Sequence, residues 1–153
     1  MKVQELMSRQ VRTCPIDASL AAAAQVMWDH DVGALPVVGP DGRIAGIITD
    51  RDICMAAFLS GAPLASIPVR RHMSRDVFTA RPGQSLDSAE ELMGAKQVRR
   101  LPVIGDAGEV MGMITMVDLA RGAGTARKAV DAGEVAATLS RIAQPRPHPG
   151  ATA

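Results

Sequence analysis

Tyrosine is absent from the chain, and Trp28, Phe58 and Phe78 are its only aromatic residues. A stacking platform for single-stranded nucleic acid needs several exposed rings, so this composition argues against nucleic acid as partner. An excess of either charge is also missing: 17 Lys and Arg stand against 16 Asp and Glu, a formal net charge of +1. That balance does not draw the chain to nucleic acid or to an anionic membrane. Cysteine is scarce, and Cys14 and Cys54, with no CxxC spacing, make no disulfide framework. No run approaches the roughly 18 apolar residues of a membrane helix. The N-terminus, MKVQELMSRQ, lacks the apolar region of a signal peptide. A cytoplasmic protein with reduced thiols and no membrane partner is therefore expected.

Catalytic and metal-binding patterns are missing too. His30, His72 and His148 are far apart and have no metal-ligand spacing. Neither cysteine has a visible general base, and there is no Walker-type loop. An enzyme is not expected. Of the 153 residues, 47% are apolar, which suffices for one compact domain or two small ones sharing a core. The nine methionines read as soft core filling. Trp28, at the end of a helix, reads as a packing residue.

The strongest signal is internal. Shifted by 66 residues, so that Met7 falls on Met73, the chain matches itself without a gap. Ser8-Arg9 then falls on Ser74-Arg75, Ser19-Leu20 on Ser85-Leu86, and Leu35-Pro36-Val37 on Leu101-Pro102-Val103. Gly46, Ile48, Thr49 and Asp52 fall on Gly112, Ile114, Thr115 and Asp118. This period is too long for a solenoid unit and marks a duplicated small fold.

Both copies have the same local grammar. Ser19 opens a helix whose Leu20, Ala23, Ala24 and Met27 follow helical spacing; Leu86, Ala89 and Met93 repeat it. The run at Leu35 or Leu101 reads as a strand, with its proline at a strand start or an edge. Gly39-Pro40-Asp41-Gly42 and Gly105-Asp106-Ala107-Gly108 make tight connections to a second strand, residues 44–48 or 110–114. A helix then starts at Thr49 or Thr115. The first strand of each unit is placed near residues 11–13 and 77–79. One βαββα unit is too small to cover both faces of its sheet, and two copies packed together supply each other's missing half. The expected organisation is α/β (α+β): repeat 1 over residues 1–60, a linker over 61–68, repeat 2 over 69–122, a C-terminal helical segment over 123–143, and a disordered tail from 144 to 153. The last helix is expected within residues 130–143, with Val135, Leu139 and Ile142 on one face. Gly133 weakens its first turn, so Glu134 is a possible start.

Leu-Pro-Val followed by a Gly-bearing turn, and Gly-h-h-Thr-x-x-Asp (h apolar), together and twice in register, resemble the CBS domain. The resemblance covers roughly residues 3 to 122 and implies a pseudo-two-fold CBS pair, or Bateman module. It further implies a regulatory ligand, AMP, ADP, ATP or S-adenosylmethionine, in two clefts between the repeats. The motif Asp would accept from ribose hydroxyls and the motif Thr would sit by the phosphates. The adenine would lie against the segment before Leu-Pro-Val of the other repeat. A helix N-terminus suits phosphate through its unpaired N–H groups and partial positive charge. A capping box has the same Thr-x-x-Asp pattern, so these residues also fit a purely structural role.

The family arrangement makes the two clefts unequal. One joins Thr49, Arg51 and Asp52 to Val98, Arg99 and Arg100, with Asp76 and Phe78 nearby. The other joins Thr115 and Asp118 to Val32, Gly33 and Ala34, with Gln10 and Arg12 nearby and Val117 in the place of Arg51. Arginine's planar fork suits phosphate, so phosphorylated nucleotides are expected mainly at Thr49, Arg51, Asp52 and Arg100. CBS pairs commonly form flat dimers. The helices here carry apolar residues on more than one face (residues 21–24 and 55–59), so a homodimer is expected. With no catalytic, channel or transporter domain attached, output is expected to pass through a separate target protein.

Overall fold

The computed structural model describes residues 1–124 and 130–146. After a short helix α1 (Val3–Leu6), each repeat builds the expected unit. In the first, β1 (Cys14–Pro15) precedes α2 (Leu20–Asp29), β2 (Ala34–Val38), β3 (Ile44–Thr49) and α3 (Asp50–Ser60). In the second, α4 (Leu86–Lys96) leads to β4 (Arg100–Ile104), β5 (Val110–Thr115) and α5 (Met116–Ala123). Helix α6 (Ala132–Ile142) follows.

The caps explain the helix starts. The Ser19 hydroxyl accepts from Ala22 N and that of Ser85 from Ser88 N, each relieving an orphan donor of the first turn. The stripes Leu20, Ala23, Met27 and Leu86, Ala89, Met93 are buried. β2 pairs antiparallel with β3, and β4 with β5, in matching registers. Their turns pass through Gly42 and Gly108 at φ 75° and 87°, a region that favours glycine.

The first strands lie later than expected. β1 spans Cys14–Pro15, parallel to β2, and its counterpart is the single bridge of Ala80 to Val103. The expected position of the motif prolines also needs correction. Pro36 and Pro102 sit mid-strand, and β2 is the central strand of its sheet. Pro102 O accepts from Ala80 N, the residue where first-strand pairing begins. The proline nitrogen faces the same side, beyond the end of that pairing, so its missing N–H breaks no ladder. Trp28 is a further correction. It is 84% exposed, because it falls beside the buried stripe ending at Met27 rather than on it.

The repeats interlock by exchanging their leading segments. Val3 and Met7 lie in the core of repeat 2 with Leu86, Leu101 and Leu119. Ile67, Val69 and Met73 lie in the core of repeat 1 with Leu20, Leu35 and Ile48. Ser8 pairs with Met113 and Ser74 with Ile47, the same bridge displaced by one repeat. Gly46 and Gly112 permit this approach. A Cβ on Gly46 would stand 2.8 Å from Ser74 O, and one on Gly112 2.8 Å from Ser8 O. The glycine of the repeated motif is thus a backbone-packing residue. Of the nine methionines, six (Met7, Met27, Met73, Met93, Met113 and Met116) are buried.

At the C-terminus, the Asp131 side chain accepts from Glu134 N and starts α6 at Ala132 despite Gly133. The buried face corrects the expected stripe. Thr138 and Ile142 are buried and Val135 packs on the second core, while Leu139 is 48% exposed. Val135, Thr138 and Ile142 follow the i, i+3, i+7 line facing α4, and Leu139 turns away from it. The expected disordered tail starts too early, since Gln144 and Arg146 both bond to Gln97. Residues 147–153 of that tail, and 125–129 of the C-terminal segment, lie outside the described residues. No described helix is long and apolar enough to cross a membrane.

Candidate functional site

A cleft of about 850 Å³ opens between the repeats. That volume lies in the range of roughly 300–1,000 Å³ usual for small-molecule sites. Thr49, Arg51, Asp52, Asp76, Phe78, Val98, Arg99 and Arg100 all line it. The end of β3 and the first turn of α3 supply the first three. The segment leading into repeat 2 supplies Asp76 and Phe78, and the turn from α4 into β4 supplies the rest.

Thr49 and Asp52 form a capping box. Thr49 N and Oγ1 donate to Asp52 Oδ2 at 2.9 and 2.7 Å, and Thr49 Oγ1 accepts from Asp52 N at 3.2 Å. The structural role is therefore real, yet it occupies only one carboxylate oxygen. Asp52 Oδ1 has no partner among the described residues. Asp118 is different. Its Oδ2 is held the same way by Thr115, and its Oδ1 accepts from Ser8 Oγ at 3.3 Å. Asp118 is 7% exposed. The residue equivalent to Ser8, Ser74, donates instead to Asp76 O at 3.4 Å. Asp52 thus keeps a free acceptor that Asp118 lacks.

The cleft's charge is concentrated. Arg51, Lys96, Arg99, Arg100 and Arg146 face Asp50, Asp52 and Asp76. None of the five cations has an ion-pair partner among the described residues. Burial lowers the Arg100 guanidinium from its usual range, Asp50 opposes that shift, and Arg99 adds to it. A desolvated cation beside another cation gains from an incoming anion. The Lys96 ammonium lies 5.2 Å from the centre of the Phe78 ring, a cation–π contact at the cleft wall.

The other expected site residues are not assembled in this way. Val32 and Gly33 line a separate hollow of about 350 Å³ with Met27, Trp28, Asp50 and Ile53, all from repeat 1. Ala34 is buried, and Thr115 and Asp118 line neither cavity. Gln10 and Arg12 are exposed and line neither cavity. Sequence reasoning missed several lining residues, among them Asp50, Lys96, Gln97, Ile142, Ala143 and Arg146. Lys96 was within reach, two residues before Val98. The last three come from beyond the repeats, where no internal symmetry guides the eye.

Cys14 is buried and Cys54 exposed, and both are free. Burial pushes the Cys14 thiol up, which makes it a poorer nucleophile. No cluster of His, Cys, Asp or Glu suited to a metal ion occurs among the described residues.

Known proteins place this architecture. The CBS domain profile matches residues 3–58 and 69–123. The CBS domain-containing protein YhcV of Bacillus subtilis is 36% identical over 118 residues, 77% of this chain and 82% of that one. Hypoxic response protein 1 of Mycobacterium tuberculosis is 34% identical over 119 residues, again 77% and 82%. A homoserine O-acetyltransferase of Methanohalobium evestigatum is 33% identical over 119 residues, but the match spans only 23% of that enzyme. Among solved structures, the CBS domain pair of protein MJ0100, in complex with 5-methylthioadenosine and S-adenosyl-L-methionine, superposes with a TM-score of 0.74 at 27% identity. It covers 81% of this chain and all of that one. With both repeats matched and interlocked, the chain belongs to the CBS domain family as a tandem pair, the architecture of a regulatory module.

Proposed function

We propose that this CBS pair is a non-catalytic sensor of phosphorylated adenosine ligands, AMP, ADP or ATP, and that the cleft of Thr49 and Asp52 is its principal site. One observation carries the reading: five cationic side chains without ion-pair partners among the described residues line the same cleft as a carboxylate oxygen that is itself without a partner there. A nucleotide satisfies both. Its ribose hydroxyls donate to Asp52 Oδ1, and its phosphates accept from Arg51, Arg99 or Arg100 and from the first turn of α3. The MJ0100 pair binds adenosine compounds, which supports the ligand class. The cationic lining favours phosphate over the positively charged sulfonium of S-adenosylmethionine. Output then passes to a separate protein.

Thermal melting with adenosine, AMP, ADP, ATP and S-adenosylmethionine tests this. A ligand at about 100 times its Kd adds roughly 2.7 kcal/mol, a shift of several degrees. AMP or ATP should raise Tm, and S-adenosylmethionine less. No shift with any of them favours the alternative, a scaffold dimer with empty clefts. The exposed Trp28, Phe58 and Leu59 on α2 and α3 give that dimer a physical basis.

A further inference from the structure

The C-terminal extension lies beyond the matched repeats, yet it forms part of the cleft. Ile142, Ala143 and Arg146 stand in its wall. The extension is anchored at one residue of the site. Gln97 Nε2 donates to Gln144 O at 2.8 Å, and Arg146 Nη2 donates back to Gln97 O. Gln97 ends α4 in a left-handed conformation at φ 51°, immediately before Val98, Arg99 and Arg100.

We propose that Arg146 is a phosphate-recognising residue of this cleft, and that nucleotide binding is coupled through it to docking of α6. The inference rests on the nucleotide reading above. A guanidinium carries five N–H donors. One of Arg146's bonds to Gln97 O, and no described carboxylate pairs with the group. The remaining donors are available to a phosphate in the cleft. Because Arg146 sits four residues past the end of α6, a phosphate held there also holds the helix against α4.

The helix has something to gain. It docks by burying Thr138 and Ile142, but it also covers Glu90 of α4, whose Oε1 has no hydrogen-bond partner among the described residues. Glu134 and Asp87 line a hollow of about 220 Å³ between α4 and α6 together with Glu90, and Arg141 only partly offsets them. An unsatisfied buried acceptor weakens docking. A ligand contact that needs the docked state therefore favours docking, and linkage makes docking and affinity rise together.

The test uses the full chain and two readouts. Calorimetry compares adenosine, AMP and ATP for the native protein, Arg146→Ala, Arg146→Lys and Asp52→Ala. Hydrogen exchange follows the α6 amides with and without ATP. Arg146 is exposed, so its substitution spares the core. Arg146→Ala should weaken ATP about ten-fold, the loss expected for one charge-assisted contact, and change adenosine less than two-fold. Arg146→Lys keeps the charge without the fork and should recover part of the loss. ATP should slow α6 exchange in the native chain and not in Arg146→Ala. Unchanged ATP affinity in Arg146→Ala, with binding lost in Asp52→Ala, overturns the role of Arg146 and leaves the nucleotide site standing. Failure of the native chain to bind any of the three overturns both.

Discussion

Four residues show how much a position's partners decide. Gly46 was visible in the sequence as a motif glycine, but its reason was not, because the atoms that forbid a side chain come from the other repeat. Gly46→Ala places a Cβ 2.7 Å from Met73 Sδ and 2.8 Å from Ser74 O. The sulfur can swing aside and the carbonyl, held in the bridge to Ile47, cannot. A loss of about 1–3 kcal/mol in urea unfolding is expected. Gly83→Ala, with open space around it and no positive φ, should stay within about 0.5 kcal/mol. Equal effects would dismiss the interlock as the cause. Asp52 and Asp118 were legible as a pair, yet their difference depends on whether Ser74 or Ser8 reaches the carboxylate. Glu90 had no signal at all, since its burial is imposed by α6. Burial raises its carboxyl, Glu134 and Asp87 add to the shift, Arg141 opposes it and Asp131 adds a little. A raised folded-state carboxyl means that the folded state binds this proton more tightly. Stability is therefore lost as pH rises from the unfolded value, near 4.3, through the raised folded one. Glu90→Gln should remove that loss and add about 1 kcal/mol at pH 7. A variant less stable than the native protein at pH 7 would refute this.

At the scale of elements, periodicity and caps were enough to place α2, α4, β2 to β5 and the starts of α3 and α5. Each of these is signalled by its own residues: a Ser or Thr cap, an apolar stripe, a glycine turn. The misplacements have tertiary causes. First-strand pairing starts at Cys14 and Ala80 because only there does the leading segment reach β2 or β4. Mid-strand prolines are tolerated because pairing on that side starts level with them. On α6 the buried position went to Thr138 rather than Leu139, because the line facing α4 is set by docking and not by hydropathy. An isolated helix of 11 residues is marginal, so α6 depends on that docking. Ile142→Ala should cost about 2–4 kcal/mol, and Leu139→Ala well under 1 kcal/mol, by thermal or urea unfolding. The reverse order would contradict the docked face.

For the whole molecule, the exchanged leading segments place part of each repeat in the other's core. Helices α2 and α3 still present Trp28, Phe58 and Leu59 at 84%, 78% and 72% exposure, with Met55 beside them. A surface of this kind suits a second copy of the chain. A homodimer at micromolar concentration is expected by light scattering, and Phe58→Glu with Leu59→Glu should shift it to monomer. A native monomer would refute the dimer without touching the cleft. The inequality of Asp52 and Asp118 is the centre of the account, and titration calorimetry of AMP and ATP into Asp52→Ala and Asp118→Ala tests it most directly. Binding should be lost in Asp52→Ala and kept within about three-fold in Asp118→Ala, since a well-made charge-assisted bond to ribose exceeds 1.5 kcal/mol, more than ten-fold. Loss of binding in Asp118→Ala with none in Asp52→Ala would contradict the account.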